Sequence, residues 1–258
     1  MSKTAVITGA STGIGRRFAQ LLAGKGYDLV LVARDENRLK ETAVELEKEF
    51  GITCEILAAD LSTVNGSKSV EERVSDQEKP INVLINNAGF GMKESFLESQ
   101  IDSEQKLLDV LVRTPMRLMH AVLPQMKASN SGIIINVSSV AGWIAGGTYS
   151  AAKSYLTVLS ESLHTELRFT KVNVLALCPG FTHTEFHQQA KMRMGSLPKF
   201  MWLEADHVVE QAWSDALAGK AISVPGWQYK ILSSISRFAP RPLVRKVGMN
   251  VRARQRRK

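Results

Sequence analysis

Apolar residues in this chain gather in short, nearly unbroken runs separated by longer segments of helical period. The runs lie at 4–8, 28–33, 54–58, 82–86, 133–137 and 172–178 and are rich in Val, Ile and Leu. Strands of a parallel sheet buried on both faces read this way, whereas strands with one wet face alternate. Between the runs, segments such as Glu36 to Phe50 and Ser103 to Lys127 set apolar residues at helical spacing among charged ones. A seventh short strand is expected near Ile222-Ser223-Val224, ahead of Pro225-Gly226. Strands alternating with helices predict an α/β fold: a doubly wound, mostly seven-stranded parallel sheet with right-handed crossovers and helices on both faces. The 258 residues suit one such domain with a large core, and a second full domain is not expected.

In doubly wound sheets, ligands gather at the carboxyl ends of the strands. The loops to inspect are therefore Gly9–Gly15, Arg34–Asp35, Asp60–Leu61, Asn87–Gly91, Ser138–Gly147 and Pro179–Thr184. The first of them, Gly9-Ala10-Ser11-Thr12-Gly13-Ile14-Gly15, follows strand one and opens a helix. Glycines let the backbone turn tightly and approach a pyrophosphate, and the helix N-terminus offers it free N–H groups. Dinucleotide binding is the expectation. At the end of strand two an acid would bind the ribose hydroxyl of NAD, and an Arg the 2′-phosphate of NADP. Ala33 leaves the acidic position empty, Arg34 follows, and Asp35 is expected to cap the next helix. These residues favour NADP(H).

Tyr149 and Lys153 are four apart and share a helix face. A cation beside a phenol favours the phenolate and lowers a pKa that is ordinarily near 10. The pair is suited to moving a proton to or from a carbonyl or alcohol oxygen.

Thr8–Gly15, Asp60-Leu61, Asn86-Asn87-Ala88-Gly89, Asn136-Val137-Ser138-Ser139, Tyr149–Lys153 and Pro179-Gly180 occur in the order found in short-chain dehydrogenases/reductases. Over roughly residues 3–225 the chain resembles that family. The resemblance implies a Rossmann-like single domain and a carbonyl reductase that prefers NADP. It implies Tyr149 as the acid/base, Lys153 as the group that lowers its pKa and holds the nicotinamide ribose, and Ser139 as the donor to the substrate oxygen. Ser138 is the fallback. Asp60 and Leu61 would flank the adenine. Asn87, Ala88 and Gly89 would line the cleft, and Pro179, Gly180, Thr182 and Thr184 would hold the nicotinamide end. Family members are commonly dimers or tetramers, so a homodimer or homotetramer is implied.

Two departures stand out. Leu111 occupies a helix position where the family usually has an Asn, which bears on the proton relay to solvent. The stretch from Ser139 to Tyr149 is about three residues shorter than usual, with Gly142, Gly146 and Gly147 to absorb the difference. Leu111 also motivates the alternative reading, a nucleotide-binding sensor or membrane-associated scaffold without turnover.

A segment at about 181–203 carries Phe181, Phe186, Met192, Met194, Leu197, Phe200, Met201 and Trp202 and is expected to cover an apolar carbonyl or alcohol substrate. His183 and His187 are four apart but lack an obvious third ligand, so no metal is expected.

Charge changes the picture only at the end of the chain. The net charge of +8 becomes −1 for residues 1–236 once the nine Lys and Arg beyond position 236 are set aside. A body at 1–226 followed by a basic amphipathic extension at 227–258 is the expected division. Such an extension suits an apolar helix docked on the body or a neighbouring subunit with a solvated basic end, or else an anionic membrane surface, and it suits nucleic acid less, since no base-reading motif appears. No apolar run reaches spanning length, no signal peptide is expected ahead of the first strand, and Cys54 and Cys178, expected to be buried thiols, suit a reducing cytoplasm.

Overall fold

The computed structural model describes residues 3–185 and 198–245. Seven strands, β1 (Lys3–Thr8), β2 (Tyr27–Ala33), β3 (Cys54–Ala58), β4 (Val83–Asn86), β5 (Gly132–Val137), β6 (Val172–Leu177) and β7 (Ile222–Ser223), form one sheet in the order β3-β2-β1-β4-β5-β6-β7. Every pairing is parallel. The order reverses between β1 and β4, which opens a crevice there at the carboxyl edge.

Helices cover both faces. Residues alternate along each strand, so Ala5 and Ile7 join one core while Val6 joins the other. On one side lie α1 (Gly13–Ala23), α2 (Glu36–Phe50) and α7 (Ala205–Leu217), contributing Phe18, Leu39 and Trp213. On the other lie α3 (Val64–Ser75), α4 (Ile101–Leu108), α5 (Thr114–Ala128) and α6 (Thr148–Glu166), contributing Val70, Leu107, Leu118 and Leu156. Asp35 caps α2 by accepting from the Arg38 backbone N–H at 3.1 Å, as its place before Glu36 predicts.

The helix expected over 103–127 is interrupted. Asp109–Arg113 forms a π turn between α4 and α5, with the Thr114 N–H reaching back five residues to Asp109. Pro115 has no N–H to give the Leu111 carbonyl, and its ring crowds that carbonyl in a straight α-helix. A widened turn at Leu111 relieves the crowding.

The extension expected beyond 226 begins with a helix held by the body. Helix α8 (Trp227–Phe238) packs into the domain, and Tyr229 on it is 2% exposed within the first core. Its hydroxyl accepts from the Phe181 N–H at 3.0 Å and donates to the Met201 carbonyl at 2.5 Å. Its ring lies against Gly180, where an added Cβ would sit 2.0 Å from a ring carbon. Replacing Tyr229 by Ala removes a buried aromatic ring and orphans two backbone groups. We expect a loss of about 4 kcal/mol, or roughly 10 °C in melting temperature, read by thermal unfolding.

Candidate active site

Each loop proposed from the sequence lies at the carboxyl edge of its strand. The glycine loop is tied down before α1 begins. The Gly9 N–H donates to the Val32 carbonyl at 2.7 Å, and the Asn87 side-chain amide donates to the carbonyls of Thr8 at 2.9 Å and Gly9 at 3.2 Å. Thr8, which opens the glycine motif but is given no role by it, accepts through its hydroxyl from the N–H groups of Asn87 and Ala88 at 2.9 and 3.0 Å. Gly9 adopts φ +68°, and a Cβ on Gly15 would lie 2.1 Å from the Gly9 carbonyl. Only glycine permits this closeness. Helix α1 has no acid in its first turn, so its N-terminal N–H groups meet an anion without repulsion. Ser11, Thr12 and Ile14 line this turn and are partly buried. The set fits a pyrophosphate.

Arg34 is exposed just beyond β2, and its charge helps hold the Asp60 carboxyl below its usual value, in the same direction as hydrogen bonds from Ser62 and against desolvation. Asp60 is exposed and Leu61 buried, side by side at the end of β3.

Ser138 and Ser139 diverge. Ser138 is buried and donates to the Lys153 carbonyl at 2.7 Å, with Thr157 equally near. It is engaged in pinning α6 to β5 and is no fallback for substrate. Ser139 opens a short 3₁₀ turn, Val140–Trp143, and its hydroxyl oxygen accepts from the Ala141 N–H at 3.1 Å. That leaves its proton for Tyr149, with which it is hydrogen-bonded. The shortened loop closes because Gly142 lies directly on α6, where a Cβ would meet the Ser154 nitrogen at 3.0 Å, and because Gly147 takes φ +78°.

Lys153 is 4% exposed and donates from Nζ to the Val137 carbonyl at 2.6 Å. Nζ lies 5.7 Å from the centre of the Tyr149 ring. Gly89 brings Leu111 close, since a Cβ there would be 2.8 Å from Leu111 Cδ2 and 3.8 Å from Lys153 Nζ. Leu111 therefore walls the ammonium with hydrocarbon. Burial holds the Lys153 pKa down at about 8, slightly offset by Cys178.

The stabilisation of the phenolate expected from Lys153 is opposed by burial. Tyr149 retains some exposed surface, but dense packing around its hydroxyl pushes the pKa up to about 12, with the Ser139 hydrogen bond acting in the opposite direction. Desolvation of the phenolate outweighs stabilisation by a cation directed at a carbonyl.

Beyond β6, the Pro179 carbonyl accepts from the Val140 N–H at 3.1 Å, and Gly180 meets Tyr229. Thr182 is buried with its hydroxyl donating to the Gly180 carbonyl at 3.2 Å, so it shapes the segment from inside. Thr184 faces the glycine loop, 3.1 Å from where a Gly13 Cβ would stand. Phe181 and Met201 pack against the core, and Trp202 stacks on His183 with centroids 4.5 Å apart. Phe186, His187, Met192, Met194 and Leu197 fall outside the described residues. Among the described residues no three His, Cys, Asp or Glu side chains could hold a metal ion. Cys178 is a buried free thiol; Cys54 is free but only partly buried, because β3 lies at the sheet edge.

A family model for short chain dehydrogenases matches residues 3–194. The chain belongs to that family. An NADP-dependent 3-hydroxy acid dehydrogenase of Schizosaccharomyces pombe is 33% identical over 71% of this chain and 73% of its own length. A short-chain dehydrogenase of Sphingobium yanoikuyae in complex with NADPH is 32% identical, with a TM-score of 0.83 over 91% of this chain and 93% of its own. A bulky-bulky ketone specific alcohol dehydrogenase of Comamonas testosteroni is 29% identical, with a TM-score of 0.79 over 91% and 92% of the two chains. Membership makes the chain an oxidoreductase of the short-chain dehydrogenase type. The dehydrogenase fold explains why every candidate loop meets at one edge of the sheet.

Proposed function

We propose that the chain transfers a hydride between NADP(H) and the carbonyl or alcohol carbon of an apolar substrate. The observation that carries this reading is the convergence of Ser139, Tyr149 and Lys153, with a hydroxyl hydrogen-bonded to the phenol and a buried ammonium behind it. NADPH, when bound, supplies the hydride. Ser139 and Tyr149 grip the carbonyl oxygen and polarise it, and Tyr149 gives its proton as the oxygen becomes an alkoxide. Lys153 stabilises the phenolate left behind. Oxidation runs the same steps backwards.

Gly9, Ser11, Thr12, Gly13, Ile14 and Gly15 would cradle the pyrophosphate, with Thr184 closing over Gly13. Arg34 would meet the 2′-phosphate, and Asp60 and Leu61 the adenine. Asn87, Ala88, Gly89, Pro179 and Gly180 would wall the nicotinamide half, with Thr182 as its internal brace. The NADP-dependent yeast relative and the NADPH complex support the cofactor choice. The Comamonas enzyme's bulky ketones support a roomy apolar substrate site.

The test is NADPH oxidation across a series of aliphatic and aromatic ketones, repeated with NADH and with Arg34→Asp. Turnover with NADPH is expected, and the substitution should lower the NADPH-to-NADH ratio of kcat/KM at least about tenfold, since one charge-assisted phosphate contact is lost. An unchanged ratio removes Arg34 from the 2′-phosphate site.

A further inference from the structure

Helix α8 is inverted relative to an ordinary surface helix. The residues it buries are Gln228, Tyr229 and Ser233, while Trp227, Ile231, Ile235 and Phe238 stand 68%, 52%, 57% and 89% exposed. These four are spaced by four, four and three residues and form one outward stripe, with Leu232 beside it. The orientation is fixed from beneath, since Gln228 donates to the Phe200 carbonyl at 2.9 Å and Tyr229 is held at both Phe181 and Met201. Lys230 and Arg237 on α8 are exposed, as are Arg241 and Arg245 just beyond its end. No Asp or Glu occurs from 216 to 258, and six more Lys and Arg follow Arg245.

We propose that this face docks on an anionic lipid surface, the stripe entering the headgroup boundary and the cations meeting the lipid phosphates. A large apolar stripe excludes nucleic acid as the better partner, because phosphate contacts bury little hydrocarbon. A second copy of the chain fits less well. A twofold interface sets a patch against itself, and here it would press two sets of cations together. An interfacial Trp and long cationic side chains that keep their charges in water suit the headgroup region. Arg237 lies over the Trp143 ring at 4.7 Å, so the docked face stands beside the turn that follows Ser139.

The experiment floats the full chain with vesicles of phosphatidylcholine alone, or with three parts in ten phosphatidylglycerol, at low salt. The probe variant carries Ile231→Ser and Ile235→Ser, which keeps every cation and alters only exposed positions. Its melting temperature should match the parent's. The parent should float with the anionic vesicles and not the neutral ones, and the variant's partition should fall at least about tenfold. Emission from Trp227, obtained by difference against Trp227→Phe, should shift to the blue on binding. Equal flotation of variant and parent overturns the proposal by assigning binding to the basic end alone. So does a parent that never floats, including one that sediments as a dimer broken by the same substitutions.

Discussion

Tyr149→Phe is expected to lower ketone reduction about 10²- to 10⁴-fold while leaving NADPH affinity and melting temperature close to the parent's. Phe fills the same space, and the one interaction lost to folding is the hydrogen bond with Ser139, worth about 1 kcal/mol. The direction of pH dependence follows from the same group. With its pKa held at about 12, Tyr149 is a full phenol at neutral pH and is ready to donate. Reduction therefore needs no prior ionisation of Tyr149, whereas oxidation needs the phenolate and should accelerate as pH rises. Steady-state rates in both directions across pH, for parent and variant, check this. A variant that keeps more than a tenth of the parent's kcat would remove Tyr149 as the proton donor.

Lys153→Met is expected to abolish turnover and yet stabilise the fold by about 2 kcal/mol at neutral pH. Burial lowers the Lys153 pKa from 10.5 to about 8, and each unit corresponds to about 1.4 kcal/mol. Holding the charge therefore costs folding about 3 kcal/mol, of which about 1 is offset by the bond to the Val137 carbonyl that Met cannot make. Between about 8 and 10.5 the unfolded chain binds the proton and the folded one does not, so the parent gains stability as pH rises through that window. The gap between parent and variant should narrow over the same range. Urea unfolding at pH values below and above the window tests the sign. A Met variant less stable than the parent at neutral pH would show that the ammonium is well accommodated. Reduction by the parent should also decline as pH rises through about 8, where Lys153 loses its charge.

The strands were legible because a sheet covered on both faces leaves a nearly continuous apolar trace, and all seven lie within a residue or two of the runs that predict them. The π turn was hidden because apolar spacing continues through Asp109–Arg113; the signal was Pro115, two residues past the break. Tyr229 was hidden for the opposite reason. It sits among exposed apolar and basic neighbours, and only contact with Gly180, far away in sequence, marks it as core. Motif order brought out the candidate site residues but not their ionisation. Spacing puts Lys153 beside Tyr149, yet it says nothing of how much hydrocarbon surrounds them, and that quantity sets both pKa directions. Likewise, Ser138 and Ser139 are equivalent as letters, and the hydrogen bond from Ser138 to the Lys153 carbonyl separates them.

The clasp of Tyr229 on Gly180 has a consequence for how the protein comes into being. Synthesis runs from the N-terminus, so the glycine loop, Arg34 and Asp60 emerge early and can fold against one another. The wall at Gly180 stays open until α8 has left the ribosome and docked. A nascent chain can thus hold the adenine half of a nucleotide well before it can enclose the reactive half. Full protection of the young protein by its own cofactor therefore waits for α8 to dock.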